Sequence, residues 1–205
     1  RYKGVKILEN SGQVTAILRF WFGDDRNNPD WVEDNRRWYS GGEVFDNLIR
    51  EQFSLQVEQA LAGGLDDWAQ SPDSAMALIL LLDQFTRNIF RGSPRAFEGD
   101  EQARLFLETV LDRGFVRSMS FKERCFLYMP LEHSESLEDQ QKCVALFEAL
   151  LAEVPLEYKK NIASRKIPES LGGVVFDYAS VEAMDGTILD EVVYKISEQK
   201  SQVLR

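Results

Sequence analysis

The chain has 205 residues, 44% hydrophobic and 28% charged, the proportions of an ordinary globular domain with a sizeable core. Its net charge of −10 repels a phosphate backbone, and no lysine- or arginine-rich run offsets that charge, which argues against nucleic-acid binding. The longest uncharged apolar run, 75–82, falls far short of the roughly 18 residues a membrane span needs.

Residues 1–10 carry no clear pattern. Ser11 is placed to cap a short helix through Val14, Ile17, Leu18 and Trp21, which Gly23 ends. Asn27, Asn28 and Pro29 mark a loop, and 31–39 reads as a short helix closed by Gly41 and Gly42. Val44, Leu48, Phe53, Val57, Ala60 and Leu61 recur at helical spacing over 43–62, stopped by Gly63 and Gly64. A turn with Trp68 leads to a helix over 74–90, apolar on all sides at its start and hence expected to be buried. Gly92 and Pro94 break it. The next helix, 97–113, turns Ala103, Phe106, Leu107 and Val110 inward and stops at Gly114. Ser120 and Glu123 form a Ser-x-x-Glu capping box ahead of another helix, which Pro130 interrupts. Residues 136–153 are again helical. The expected class is all-α, with domain 1–153 followed by a C-terminal extension 154–205, in which Val174–Tyr178 reads as a strand and Leu189–Val203 as a short helix.

An offset of 50 residues aligns 49–65 with 99–115: Glu51, Gln52, Leu55, Glu58, Leu61 and Gly64 meet Glu101, Gln102, Leu105, Glu108, Leu111 and Gly114. The same offset sets Asp83-Gln84 on His133-Ser134. Two stacked helical hairpins with equivalent polar clusters would follow, the logic of an α-solenoid.

The ordered motifs resemble the "domain of unknown function 924" family. They are Phe20-Trp21-Phe22-Gly23, Trp38, Ala60 through Leu65, Trp68, Leu82 through Gly92, Ala96-Phe97 with Asp100, Glu123-Arg124, Phe126, Tyr128-Met129-Pro130, Glu132 through Glu135, and Gln140. The resemblance covers about 14–152, implies an all-helical, tetratricopeptide-like fold, and implies no activity. After Leu150 the chain departs from the family pattern. Tyr158 through Ile162 and Leu171 through Phe176 stand where relatives carry a histidine- and arginine-containing stretch.

The candidate site is Asp83, Gln84, Arg87, Asn88, Arg91, Glu132, His133 and Glu135. Asp83 and Arg87, four apart, pair on one helix face, with Gln84, Asn88 and Arg91 as a stripe beside them. Arginine forks suit a carboxylate or phosphate. The competing reading is internal, with Arg87 or Arg91 bonding Glu132 or Glu135 across the hairpins. His133, the sole histidine, is a candidate general base that Asp83 would orient, or simply a hydrogen-bonded residue at a helix end.

No Gly-x-Ser-x-Gly elbow, Walker loop or Gly-x-Gly-x-x-Gly motif is present. One histidine and two separated cysteines do not make a zinc site, and the carboxylates Asp83, Asp100, Glu132 and Glu135 have no spacing that singles out magnesium. No cofactor and no metal are expected. Cys125 and Cys143 read as reduced core thiols, which fits a cytoplasmic setting; an organellar one stays open because the chain starts at Arg1 rather than methionine. Trp21, Trp31, Trp38 and Trp68 read as core fillers between short helices, with an aromatic partner groove at Trp31 and Trp38 as the alternative. The leading expectation is a binding module for a peptide segment or small anionic molecule. The alternatives are an enzyme using His133 with Arg87 and Arg91 holding an anionic substrate, and an assembly protein without a ligand. The oligomeric state stays open.

Overall fold

The structure, a computed structural model, describes residues 2–28, 37–38, 41–153, 174–182 and 188–196. The chain divides into two compact units, Arg1–Phe147 and Glu148–Arg205. The described residues of the first form helices joined by turns, with no strand among them, and its last helix continues in sequence past Phe147. Its elements are α1 (Tyr2–Phe22), α2 (Gly42–Leu61), α3 (Pro72–Ile79), a π-helical turn (Leu80–Phe85), α4 (Thr86–Ile89), α5 (Asp100–Asp112), α6 (Phe121–Leu127), α7 (Met129–Glu132) and α8 (Leu137–Glu153). Short 3₁₀ turns at Asp66–Gln70, Pro94–Phe97 and Phe115–Ser118 connect them. Among the described residues no helix is long and apolar enough to cross a membrane.

α3, the π-turn and α4 form the expected buried centre. Residues Ala75 through Leu82 are all within the core. Each buried leucine, isoleucine or methionine there contributes about 1.5–3 kcal/mol of transfer free energy, so a stretch with no polar face is stable only when surrounded. α1 packs on α3, α2 on the π-turn and α4, and α5 on α3, the π-turn and α7. Aromatic rings fill the gaps between these helices. Trp21 stacks on Trp38 (centroids 5.9 Å apart) and meets Phe126 edge-on, and Phe20 stands edge-on to Phe53 and Phe85.

Several sequence expectations are revised. α1 starts at Tyr2, so Ser11 lies inside a helix rather than capping one, its carbonyl accepting from the Thr15 hydroxyl. α2 buries Phe45, Asp46, Ile49, Phe53, Val57 and Ala60, leaving Val44 and Leu48 exposed, so the buried face is rotated by about one residue. The 74–90 helix is interrupted by the π-turn, and 97–113 becomes helical only from Asp100. Arg37 and Trp38 are helical; the rest of the 31–39 expectation, including Trp31, lies outside the described residues. Cys125 and Cys143 are free thiols, the first half-buried and the second buried.

In the second unit, β1 (Val174–Glu182) and β2 (Ile188–Ile196) form an antiparallel hairpin in which Tyr178 pairs with Val192. The strand expected at Val174–Tyr178 is present and longer. The helix expected over Leu189–Val203 is a strand as far as Ile196, and the remainder lies outside the described residues. Ile188, Val192, Val193 and Ile196 are β-branched, which suits a pleated ladder better than a helix.

Candidate functional site

The π-turn shapes the site. A π-turn carries one residue more per turn than an α-helix and recurs at functional positions. Here it presents Asp83, whose carboxylate is fully buried. Side chains of the next turn supply donors to its carbonyls. The Thr86 hydroxyl donates to Leu82 O at 2.8 Å, and Arg87 Nη1 donates to Asp83 O at 2.7 Å.

The Asp83 carboxylate has three side-chain partners. His133 Nδ1 lies 2.7 Å from Oδ1, Arg87 Nη1 lies 3.2 Å from the same oxygen, and Gln84 Nε2 donates to Oδ2 at 2.5 Å. Burial acts to raise the pKa of this carboxyl. The charge and hydrogen bond of His133, then the Arg87 guanidinium and the Gln84 amide, outweigh burial and hold it below the ordinary carboxylate range. Asp83 is therefore ionised and accepts only, so Nδ1 of His133 carries the proton that it donates to Oδ1, and in the neutral form of the ring Nε2 is the nitrogen that keeps a lone pair. The His133 side chain is 21% exposed.

His133 is fixed by the local chain. Pro130 sits in the first turn of α7, where its missing N–H costs nothing. α7 is four residues long, and His133 N–H closes its end on Met129 O at 2.9 Å. The Gln140 amide, reaching from α8, donates to the carbonyls of Leu131, Glu132 and Ser134. One side chain thus satisfies the carbonyls around His133 and ties α7 to α8.

Arg87 forms a two-pronged ion pair with Asp100, Nη1 to Oδ1 at 2.7 Å and Nη2 to Oδ2 at 2.9 Å, and its guanidinium lies over the Phe97 ring. Asp100 opens α5. Gly99, just before it, presses on the π-turn so closely that a Cβ there would stand 2.3 Å from Leu82 O. Only glycine lets α5 begin near enough for Asp100 to reach Arg87.

The sequence candidates separate into two groups. Asp83, Gln84, Arg87 and His133 meet as described. Asn88 and Arg91 instead bind Asp46 of α2: Asn88 Nδ2 donates to Oδ1 at 2.8 Å, and Arg91 donates through Nε to Oδ2 at 2.5 Å and Nη2 to Oδ1 at 2.9 Å. Burial acts on Asp46 toward a higher pKa, and Arg91, Asn88 and Arg50 bring it below the ordinary value. The alternative pairing of Arg87 or Arg91 with Glu132 or Glu135 does not form; their partners are Asp83, Asp100 and Asp46. Glu132 is buried in α7, and the Cys125 thiol on α6 has its pKa raised by burial first and by the Glu132 charge second. Glu135 is exposed and belongs to neither network.

Ser134, beside His133, turns away from it and donates to Asp139 Oδ2 at 2.5 Å, so these two residues do not form a serine–histidine pair. Among the described residues no group of three or more acidic, cysteine or histidine side chains is arranged to hold a metal. Asp46 and Asp100 complete the networks; the sequence names Asp100 only among the family motifs and the carboxylates weighed for magnesium, and Asp46 not at all. Asp46 lies within the buried face of α2, flanked by Phe45 and Ile49, and an acidic residue inside an apolar face is the signal that marks it.

A search of the curated proteins finds no match. A solved structure of a protein of unknown function from Agrobacterium tumefaciens is similar, with 29% sequence identity, a TM-score of 0.61, and coverage of 80% of this chain and 86% of that one. The family model described as "Bacterial protein of unknown function (DUF924)" matches residues 17–185, running past Leu150, where the motifs read from the sequence end. With most of its length matched by that model, the chain belongs to the DUF924 family.

Proposed function

We propose that this protein binds a small polar ligand at the Asp83–His133 pair, with Nε2 of His133 as the proton-accepting contact. The observation that carries the reading is the 2.7 Å contact between the partly exposed imidazole and a fully buried carboxylate. Such a carboxylate fixes the ring and its tautomer and makes Nε2 a better acceptor. Gln84 and Arg87, both half-buried, border the same carboxylate. The ligand is read as small and polar rather than anionic, because both arginine forks are already engaged: Arg87 by Asp100 and Arg91 by Asp46. A peptide segment remains the larger form of the same proposal, laid along a tetratricopeptide-like face of stacked hairpins.

The same geometry favours a second reading, in which His133 is a general base oriented by Asp83. With Ser134 committed to Asp139, that chemistry would be proton abstraction or water activation rather than acyl transfer through serine.

A thermal-shift screen of wild type and His133→Gln against metabolites and short peptides tests the binding reading. A ligand at 100 times its Kd stabilises by about 2.7 kcal/mol, a shift of several degrees in a domain of this size. We expect a compound that stabilises wild type and loses its effect in His133→Gln. Compounds that stabilise both proteins equally would move the site elsewhere. Were no compound to stabilise wild type and His133→Gln to melt well below it, the pair would serve the fold alone.

A further inference from the structure

We propose that Asp100 is a positioning residue for His133: it holds the Arg87 fork, and Arg87 fixes the Asp83 carboxylate against which the imidazole is set. The proposal rests on the reading of His133 as the contact group. The contacts form one chain. Asp100 takes both arms of the guanidinium, at 2.7 and 2.9 Å. The Nη1 arm also reaches the Asp83 carbonyl at 2.7 Å and Asp83 Oδ1 at 3.2 Å. That same Oδ1 receives His133 Nδ1 at 2.7 Å. Arg87 and His133 therefore share one oxygen of a buried carboxylate, and Asp100 decides how the arginine is presented to it.

A lone arginine would retain the freedom of a long side chain; a two-pronged pair fixes its plane. The backbone supports this arrangement. Asp100 occupies the first turn of α5, where a carboxylate is favoured by the exposed N–H groups. Gly99 brings that turn against Leu82 O in the π-turn. Asp100 is thus placed by the fold rather than by a flexible reach.

The charge argument has a definite sign. The Arg87 cation beside Oδ1 disfavours a second cation on the imidazole, and the Asp100 anion offsets it. Asp100→Asn leaves the guanidinium uncompensated and freer to draw on Asp83, so His133 becomes harder to protonate. Other charged groups on the surrounding elements include Glu132 on α7, Glu135 beyond it, Glu101, Arg104 and Glu108 on α5, and Glu138, Asp139 and Lys142 on α8. All of them are retained in each variant below.

The test is a titration of the single imidazole by NMR in the full chain, without ligand, in wild type, Asp100→Asn, Arg87→Met and the double variant. We expect Asp100→Asn to lower the His133 midpoint by about half a pH unit or more, the scale expected from losing a nearby compensating charge. Arg87→Met should raise it. In the Arg87→Met background, Asp100→Asn should move it far less, since the intermediary is gone. An unmoved midpoint in Asp100→Asn would overturn the proposal, as would an equal shift with and without Arg87. If Asp100→Asn fails to fold, Arg87→Met decides alone, and an unmoved midpoint there is fatal. Because no ligand enters the titration, it can fail while ligand binding stands, and the reverse also holds.

Discussion

Asp46 and Asp83 each gather side chains around the central helical stretch, and each has its pKa lowered by them despite burial. Their partners differ. Asp46 is bound by an amide, Asn88, and by Arg91, whose side chain is 62% exposed. None of these partners changes charge near neutral pH. Asp83 is bound by Arg87 and His133, each only 21% exposed, and the second of these is an imidazole, a group that exists in neutral and cationic forms. The first network is a clamp between α2 and α4. The second joins residues 50 apart in sequence through a group able to take up or release a proton. Arginine and aspartate alone make a fixed joint; histidine on a buried aspartate adds a chemical handle.

The sharpest way to break this comparison is to delete each aspartate. Asp83→Ala strips the buried carboxylate from a paired network and should cost about 3–5 kcal/mol in urea unfolding. Asp46→Ala leaves Arg91 largely able to find water and should cost about 1–3 kcal/mol. Equal costs would mean that the exposure of the partners does not separate the two networks. Gly99→Ala comes next. It touches neither aspartate, yet its new methyl would collide with Leu82 O and push α5 from the π-turn. A loss of about 1–3 kcal/mol is expected, together with a weakened Arg87–Asp100 pair. An alanine at 99 that leaves both stability and the His133 titration unchanged would show that this close approach does not set the site.

The helix boundaries and the Asp83–Arg87 spacing were legible in sequence because they rest on local signals. Ser120 and Glu123 form the capping box they spell. Gly23 and Gly114 stop helices with left-handed backbones, as their positions suggest. The expectation that Asp83 orients His133 is met by their 2.7 Å contact, whereas the 50-residue offset sets the two at equivalent positions of two hairpins and does not by itself imply that contact. The Asp46 network was not legible. Its acidic member sits on α2, distant in sequence from Asn88 and Arg91, and no spacing rule connects them. Of the six residues that mark the face of α2 in sequence, Phe53, Val57 and Ala60 are buried but Val44 and Leu48 are exposed, because the buried face passes through a carboxylate that a hydrophobic pattern skips. The π-turn was equally hidden: the apolar run 75–82 that leads into it has no polar marks from which to count residues per turn.

Acid unfolding sharpens the comparison further. Both carboxyls have folded pKa values below the ordinary carboxylate value of about 3.9. The unfolded chain therefore binds more protons than the folded one in that window. The stabilisation is fully present above the ordinary value and is lost as pH falls below it, through the folded values. Each carboxyl contributes up to about 1.4 kcal/mol per pH unit there. Urea midpoints measured from neutral pH down to acid should fall steeply for wild type, and less steeply for Asp83→Asn and for Asp46→Asn. Variants that keep the full wild-type slope would show that neither network carries the acid dependence.

The smallest effect is expected at Glu135, which the sequence placed in the same cluster as His133. It lies two residues beyond the imidazole but is exposed, and neither network includes it. Water and salt screen its charge from Nδ1, whose own partner is a buried carboxylate at contact distance. Glu135→Gln should change stability by no more than about 0.5 kcal/mol and leave the His133 midpoint almost where it was. The contrast with Asp100 is the point of the measurement. Asp100 lies further from His133 in sequence and acts on it through Arg87, whereas Glu135 is nearly adjacent and acts through solvent. If Glu135→Gln moved the imidazole as far as Asp100→Asn does, the titration would be following the summed field of the surface, and the ordered chain from Asp100 to His133 would lose its special place.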